Sequence, residues 1–150
     1  DISKTLPEIF AKLRELNAEC KPENVGVGSV VCAMKPGDGS AREQAASCQK
    51  VLGGWANIAL EYATKRYRSN LINWGMLPLV CGDLNFAVGD YVYLPNVRGS
   101  VENKASDLAA YVISASGDVR EIKLSLGALT DDERKIILCG CLINYYRDGN

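Results

Sequence analysis

Histidine is missing altogether from the 150 residues, and with it go the usual general base near neutral pH, the commonest metal ligand and every Ser-His or Cys-His nucleophile pair. Catalysis confined to this chain would be unusual. Net charge is nearly missing too. The 17 Lys and Arg residues against 18 Asp and Glu leave -1, so no global field draws the chain to nucleic acid or to an anionic membrane, and an anion has to be captured locally. No apolar run approaches the roughly 20 residues that span a bilayer, and no charged start leads into an apolar stretch as in a signal peptide. A soluble, cytoplasmic chain is the expectation. The six cysteines, Cys20, Cys32, Cys48, Cys81, Cys139 and Cys141, include no Cys-x-x-Cys pair, and their spacing matches neither a zinc site nor a disulfide framework. They read as free core thiols, Cys139 and Cys141 lying in an apolar stretch, Ile136 to Ile143, that reads as a buried helix. No metal ligand is assigned.

In place of these groups stands a glycine-rich loop, Gly37-Asp38-Gly39-Ser40-Ala41-Arg42-Glu43. It presents a serine and an arginine where a helix begins. A helix start exposes N–H groups without intrahelical partners and about half a unit of positive charge, and Arg42 adds a forked, permanent cation. A carboxylate or phosphate is the ligand class to expect. The same residues admit a plainer reading, because Ser40 followed by Glu43 is also a capping box, with the hydroxyl serving only to start the helix. The loop alone leaves both readings open.

Length and 47% hydrophobic composition suit one ordinary core, and the whole of 1–150 is expected as a single domain. The chain opens on an amphipathic helix bearing Leu6, Ile9, Phe10, Leu13 and Leu16, with Pro7 near its first turn. Val25 to Met34 suggest a buried strand running into Lys35-Pro36-Gly37, then a helix from about Ala41 to Leu52 stopped by Gly53-Gly54. Ser40 thus falls between the carboxyl end of a strand and a helix start, the usual place for ligands of open α/β sheets. Trp55 to Leu60 reads as the next strand and Tyr62 to Trp74 as a helix. Its Lys65, Arg66 and Arg68 are too few, and its aromatics too little interleaved, for a nucleic-acid surface. Met76 to Val80 is strand-like, with Pro78 pointing to an edge or a bulge. Beyond Cys81 the pattern turns to β. Strands are expected at Tyr91 to Leu94, Tyr111 to Ser114 and Val119 to Leu124, the last two a hairpin turning at Ser116-Gly117-Asp118. Residues 95–107 read as a polar loop or a short helix. Thr130 to Glu133 form a second capping box, opening a helix from about Asp131 to Tyr146.

The motifs Gly37 to Ala46, Gly53-Gly54, Asn70-Leu71 and Gly75 to Leu79, in that order and spacing, resemble the C-terminal swivel domain of the aconitase superfamily. That domain carries Gly-x-Gly-Ser-Ser-Arg-Glu-His-Ala-Ala, a Gly-Gly, a helix ending in Asn-Leu, and Gly-x-Leu-Pro-Leu. The resemblance covers at least residues 25–82. It implies a layered β/β/α swivelling domain with a mixed sheet and flanking helices, excised from a longer iron–sulfur hydro-lyase that dehydrates and rehydrates a di- or tricarboxylate. Ser40 would be the catalytic base, Arg42 would grip a substrate carboxylate, and Gly39 and Ala41 would line the substrate. The four-iron four-sulfur cluster would be held by other domains of the same protein or by a large subunit, with no ligand in this chain. A free-standing small subunit similar to that of isopropylmalate isomerase, and a non-catalytic anion-binding module, are the alternatives. Two positions depart from the family pattern. Ala41 stands where the second serine is expected, and Gln44 where histidine is.

Overall fold

The computed structural model describes residues 2–149, with side chains from Thr5 onward. Its elements run α1 (Ile2–Leu16), β1 (Ser29–Ala33), α2 (Arg42–Val51), β2 (Gly54–Ala59), α3 (Lys65–Asn73), β3 (Leu77–Val80), β4 (Tyr91–Tyr93), α4 (Val97–Glu102), β5 (Asp107–Ile113), β6 (Val119–Ser125), α5 (Asp131–Cys139) and α6 (Leu142–Arg147). Six strands form one mixed sheet in the order β1-β2-β3-β6-β5-β4. The strands β1, β2 and β3 are parallel, whereas β3 with β6 and β4 with β5 are antiparallel. This is the mixed α/β architecture that the sequence predicts. No described helix is long and apolar enough to cross a membrane.

The chain folds as two compact units, each drawn from several separate stretches. One comprises Asp1–Val27, Phe86–Pro95 and Ala109–Ile122. Its core gathers Leu13, Cys20 and Ile113, with Ile9, Phe10, Val25, Tyr91 and Tyr93 packed against them. The apolar stripe of α1 is thereby buried as its spacing demands. Pro7 lies inside α1, a turn deeper than its usual place at a helix start. The thiol of Cys20 donates to the Tyr93 hydroxyl at 3.0 Å. The β5–β6 turn closes through a Ser114 N–H bond to the Asp118 carbonyl at 2.9 Å.

The other unit comprises Gly28–Asn85, Asn96–Leu108 and Lys123–Asn150. It holds β1-α2-β2-α3-β3, a parallel run in which strand, loop and helix alternate. Ala46, Tyr67, Leu71 and Met76 form a cluster, with Tyr62 and Trp74 packed against it. Burying Leu71, which has no exposure, contributes about 1.5–3 kcal/mol.

Four expectations are corrected here. First, β1 is exposed over most of its length, because it ends the sheet and only one side finds a partner. Secondly, Pro78 lies within the sheet and is fully buried. The Cys81 N–H bonds the Ala59 carbonyl at 2.9 Å, so by strand alternation position 78 faces away from β2, and β6 meets β3 at Val80 and Ser125 alone. The missing proline N–H therefore falls where no ladder runs. Thirdly, the final helix breaks into α5 and α6 at Gly140, whose φ is 91°. The Gly140 carbonyl lies so close to Gly75 that a side chain at 75 would overlap it. Fourthly, all six cysteines are free, but only Cys20 and Cys81 are buried, while Cys32 and Cys48 are exposed. The capping box of Thr130 and Glu133 forms with both of its reciprocal bonds. Residues 95–107 contain the short helix, α4.

Candidate functional site

The loop between β1 and α2 is tied to the start of α3. Main-chain bonds run from the Glu61 N–H to the Met34 carbonyl at 3.2 Å and from the Ala63 N–H to the Pro36 carbonyl at 2.9 Å. The Thr64 hydroxyl donates to the Gly37 carbonyl at 3.2 Å and accepts from the Tyr67 N–H at 3.2 Å as the α3 cap. One hydroxyl therefore starts the helix and anchors the glycine loop. Gly37 has φ +96°, and a Cβ there would come within 2.5 Å of the Tyr67 side chain. Only glycine fits that backbone.

Tyr67 is itself held from below. The fully buried Asn57 donates through Nδ2 to the Tyr67 hydroxyl at 2.8 Å, and its Oδ1 accepts from Gln49 Nε2. The neighbouring Tyr62 hydroxyl donates to the Leu79 carbonyl at 2.9 Å. Burial raises the Tyr62 pKa well above that of an ordinary phenol, the nearby Tyr67 adds to this, and Arg68 opposes it. Tyr62 is therefore a fixed donor. Arg68, one of the three basic residues of α3, donates to the carbonyls of Leu126 at 3.1 Å and Ala128 at 2.8 Å. Its role is structural.

Above this floor lies an open cavity of about 510 Å³ lined by Gly37, Gly39, Ser40, Ala41, Arg42, Ala45 and Tyr67. All four site residues read from the sequence, Gly39, Ser40, Ala41 and Arg42, meet there. Ser40 does not cap α2, however. The N-cap position is Ala41, with no side-chain cap, and α2 begins at Arg42. The capping reading of Ser40 is thereby corrected, because the helix starts one residue later than that reading requires. The first intrahelical bond runs from the Ala45 N–H to the Ala41 carbonyl at 2.9 Å. The orphan Glu43 N–H is met from α3, for with the Asn70 amide oriented to satisfy both its groups, its oxygen accepts that N–H at 2.9 Å. The first-turn N–H groups of Arg42 and Gln44 have no intrahelical partner.

Arg42 carries the main electrostatic feature. Its Nε is buried without a hydrogen-bond partner, and among the described residues its guanidinium has no ion-pair partner. A buried donor left unpaired costs about 1–3 kcal/mol, and more on a charged group, which a bound oxyanion would offset. The cavity thus suits an oxyanion next to a hydroxyl. Among the described residues no three or more Cys, Asp or Glu side chains come together to hold a metal, and the cysteines do not gather into a set for an iron–sulfur cluster.

Sequence reasoning missed Asn57, Tyr67, Gln49, Asn70 and Trp74 as supports of this site. The available signals were Asn57, a polar residue in the apolar run from Trp55 to Leu60, and Asn70, which stands in the Asn70-Leu71 motif without its contact to Glu43 being legible.

A parallel βαβαβ segment with an anion-suited cavity at a strand-to-helix turn describes the class of site. Residues 17–83 match the family described as the aconitase C-terminal domain. No curated protein matches the chain. The matched segment carries β1, the loop, α2, β2, α3 and β3, and it is this segment that is similar to the aconitase C-terminal domain.

Proposed function

We propose that the chain is the substrate-binding and catalytic swivel domain of an aconitase-like hydro-lyase, which dehydrates and rehydrates a hydroxy-polycarboxylic acid of the citrate or isocitrate kind. The observation that carries this reading is the Arg42 guanidinium, its Nε buried without an acceptor, on the cavity it shares with Ser40. Arg42 grips a substrate carboxylate. Ser40 removes the proton from the carbon next to that carboxylate, and the negative charge that develops there faces the arginine. A serine hydroxyl is a poor base unless its alkoxide is stabilised, and the α2 start with Arg42 supplies positive potential for that.

The described residues offer no ligand set for the family's four-iron four-sulfur cluster. In this reading the cluster belongs to other domains of the same protein or to a large subunit, and the chain does not turn over alone. Six free thiols support a reducing compartment, here the cytoplasm. Ala41 removes a hydroxyl from the substrate face, and a substrate oxygen left unpaired there costs about 1–3 kcal/mol. The accepted acid is accordingly expected to differ from citrate.

The test is turnover of citrate, isocitrate, 2-methylcitrate and isopropylmalate by the complete cluster-loaded enzyme, wild type against Ser40→Ala. Loss of about 10²–10⁴-fold in kcat, the scale of a general base, is expected. Unchanged turnover in the variant would overturn the role of Ser40 and leave an anion-binding module.

A further inference from the structure

Glu43 follows Arg42 directly in sequence, which makes it the acid nearest along the chain to a guanidinium whose Nε is buried without a partner. Yet the two do not pair among the described residues. Both oxygens of Glu43 are instead held from α3. Trp74 Nε1–H donates to Oε1 at 2.7 Å, and the Asn70 amide, in the orientation that satisfies it, donates to Oε2 at 3.2 Å while accepting the Glu43 N–H at 2.9 Å. Asn70 is buried, at 9% exposure, and Trp74 packs against the cluster of Ala46, Tyr67, Leu71 and Met76, so neither donor can readily follow the carboxylate elsewhere. Both donors are neutral, and they engage the acid without bringing a second cation near the cavity.

We propose that Asn70 and Trp74 are positioning residues that hold the Glu43 carboxylate away from Arg42, keeping the arginine's charge for a bound carboxylate. The inference rests on Arg42 as the anion grip. Without the clamp, Glu43 would swing to Arg42 and compete with the ligand as an internal carboxylate. The signature of such a mechanism is rescue, because deleting the freed charge should restore what loss of the clamp removes, whereas a purely structural support would not be rescued.

The experiment uses the chain with tricarballylate, an unreactive tricarboxylate, and ¹⁵N–¹H spectra of the Arg42 Nε–H, in wild type, Trp74→Phe, Glu43→Gln and the double variant. Trp74→Phe keeps the packing and drops the N–H. It is expected to shift the Arg42 Nε–H resonance and weaken tricarballylate binding about two- to fivefold, the scale of a partly exposed ion pair. Adding Glu43→Gln should return both to wild-type values, and Glu43→Gln alone should bind at least as tightly as wild type. An Nε–H that does not move, a loss not rescued in the double variant, or weaker binding by Glu43→Gln alone would overturn the clamp. If no protein binds tricarballylate but the Nε–H shifts and recovers, the clamp stands and the anion-grip reading falls.

Discussion

Two glycines of the serine loop, Gly37 and Gly39, look equivalent in the motif but should respond very differently to alanine. At Gly37 the backbone has φ +96°, and an added Cβ would lie 2.5 Å from the Tyr67 Cβ, Cγ and Cδ1 atoms. The left-handed backbone costs about 1–2 kcal/mol for an L residue, and overpacking against a held aromatic costs about 1–3 kcal/mol, so Gly37→Ala should destabilise by about 2–5 kcal/mol. Tyr67 cannot easily yield, since Asn57 fixes its hydroxyl. A Cβ at Gly39 meets nothing within 4 Å, and Gly39→Ala should stay within about 0.5 kcal/mol of wild type. Urea denaturation followed by tryptophan fluorescence is the assay, because Trp55 and Trp74 both belong to the unit that contains the loop. A midpoint shift with unchanged slope reads stability directly. If Gly37→Ala fell within about 0.5 kcal/mol of wild type, or Gly39→Ala cost as much as Gly37→Ala, the packing argument would be refuted.

Replacing Tyr67 by Phe keeps the ring but strands Asn57 Nδ2 at a position with no exposure, which should cost about 1–3 kcal/mol in the same denaturation assay. An unchanged midpoint would mean that the Asn57–Tyr67 bond does not support the cavity floor. At α5, a hydrogen bond from Lys104 and its charge hold the Asp131 carboxyl below its ordinary value. Its folded pKa is depressed, so any stability it contributes is present above about pH 3.9, the unperturbed carboxylate value, and is lost as pH falls through the lower folded value. In Lys104→Met the Asp131 resonance should titrate at higher pH than in wild type, and an unmoved titration would show that the contact is not made in solution.

How much was legible follows from the range of each interaction. The capping box at Thr130 and the turn at Ser116-Gly117-Asp118 involve neighbours in sequence, and both form where the pattern put them. The alternation from Val25 to Val80 announced strand, loop and helix, and so brought Gly39, Ser40, Ala41 and Arg42 to one turn. The loop alone could not decide between a cap and a ligand role for Ser40, because where α2 starts depends on α3, whose Asn70 takes the Glu43 N–H. The exposure of β1 and the burial of Pro78 were equally hidden, since each depends on which strand stands alongside. A valine run is the same run at an edge or in the middle.

Local sequence by itself determined most of the elements, their order and the chemistry available at the loop, because propensity, capping and turn formation act over a few residues. Only the tertiary structure decided that the buried Nε of Arg42 is left without a hydrogen-bond partner among the described residues. That outcome depends on Trp74 reaching Glu43 across 31 positions and on a buried asparagine holding a tyrosine beneath Gly37, contacts that packing creates and no local pattern encodes.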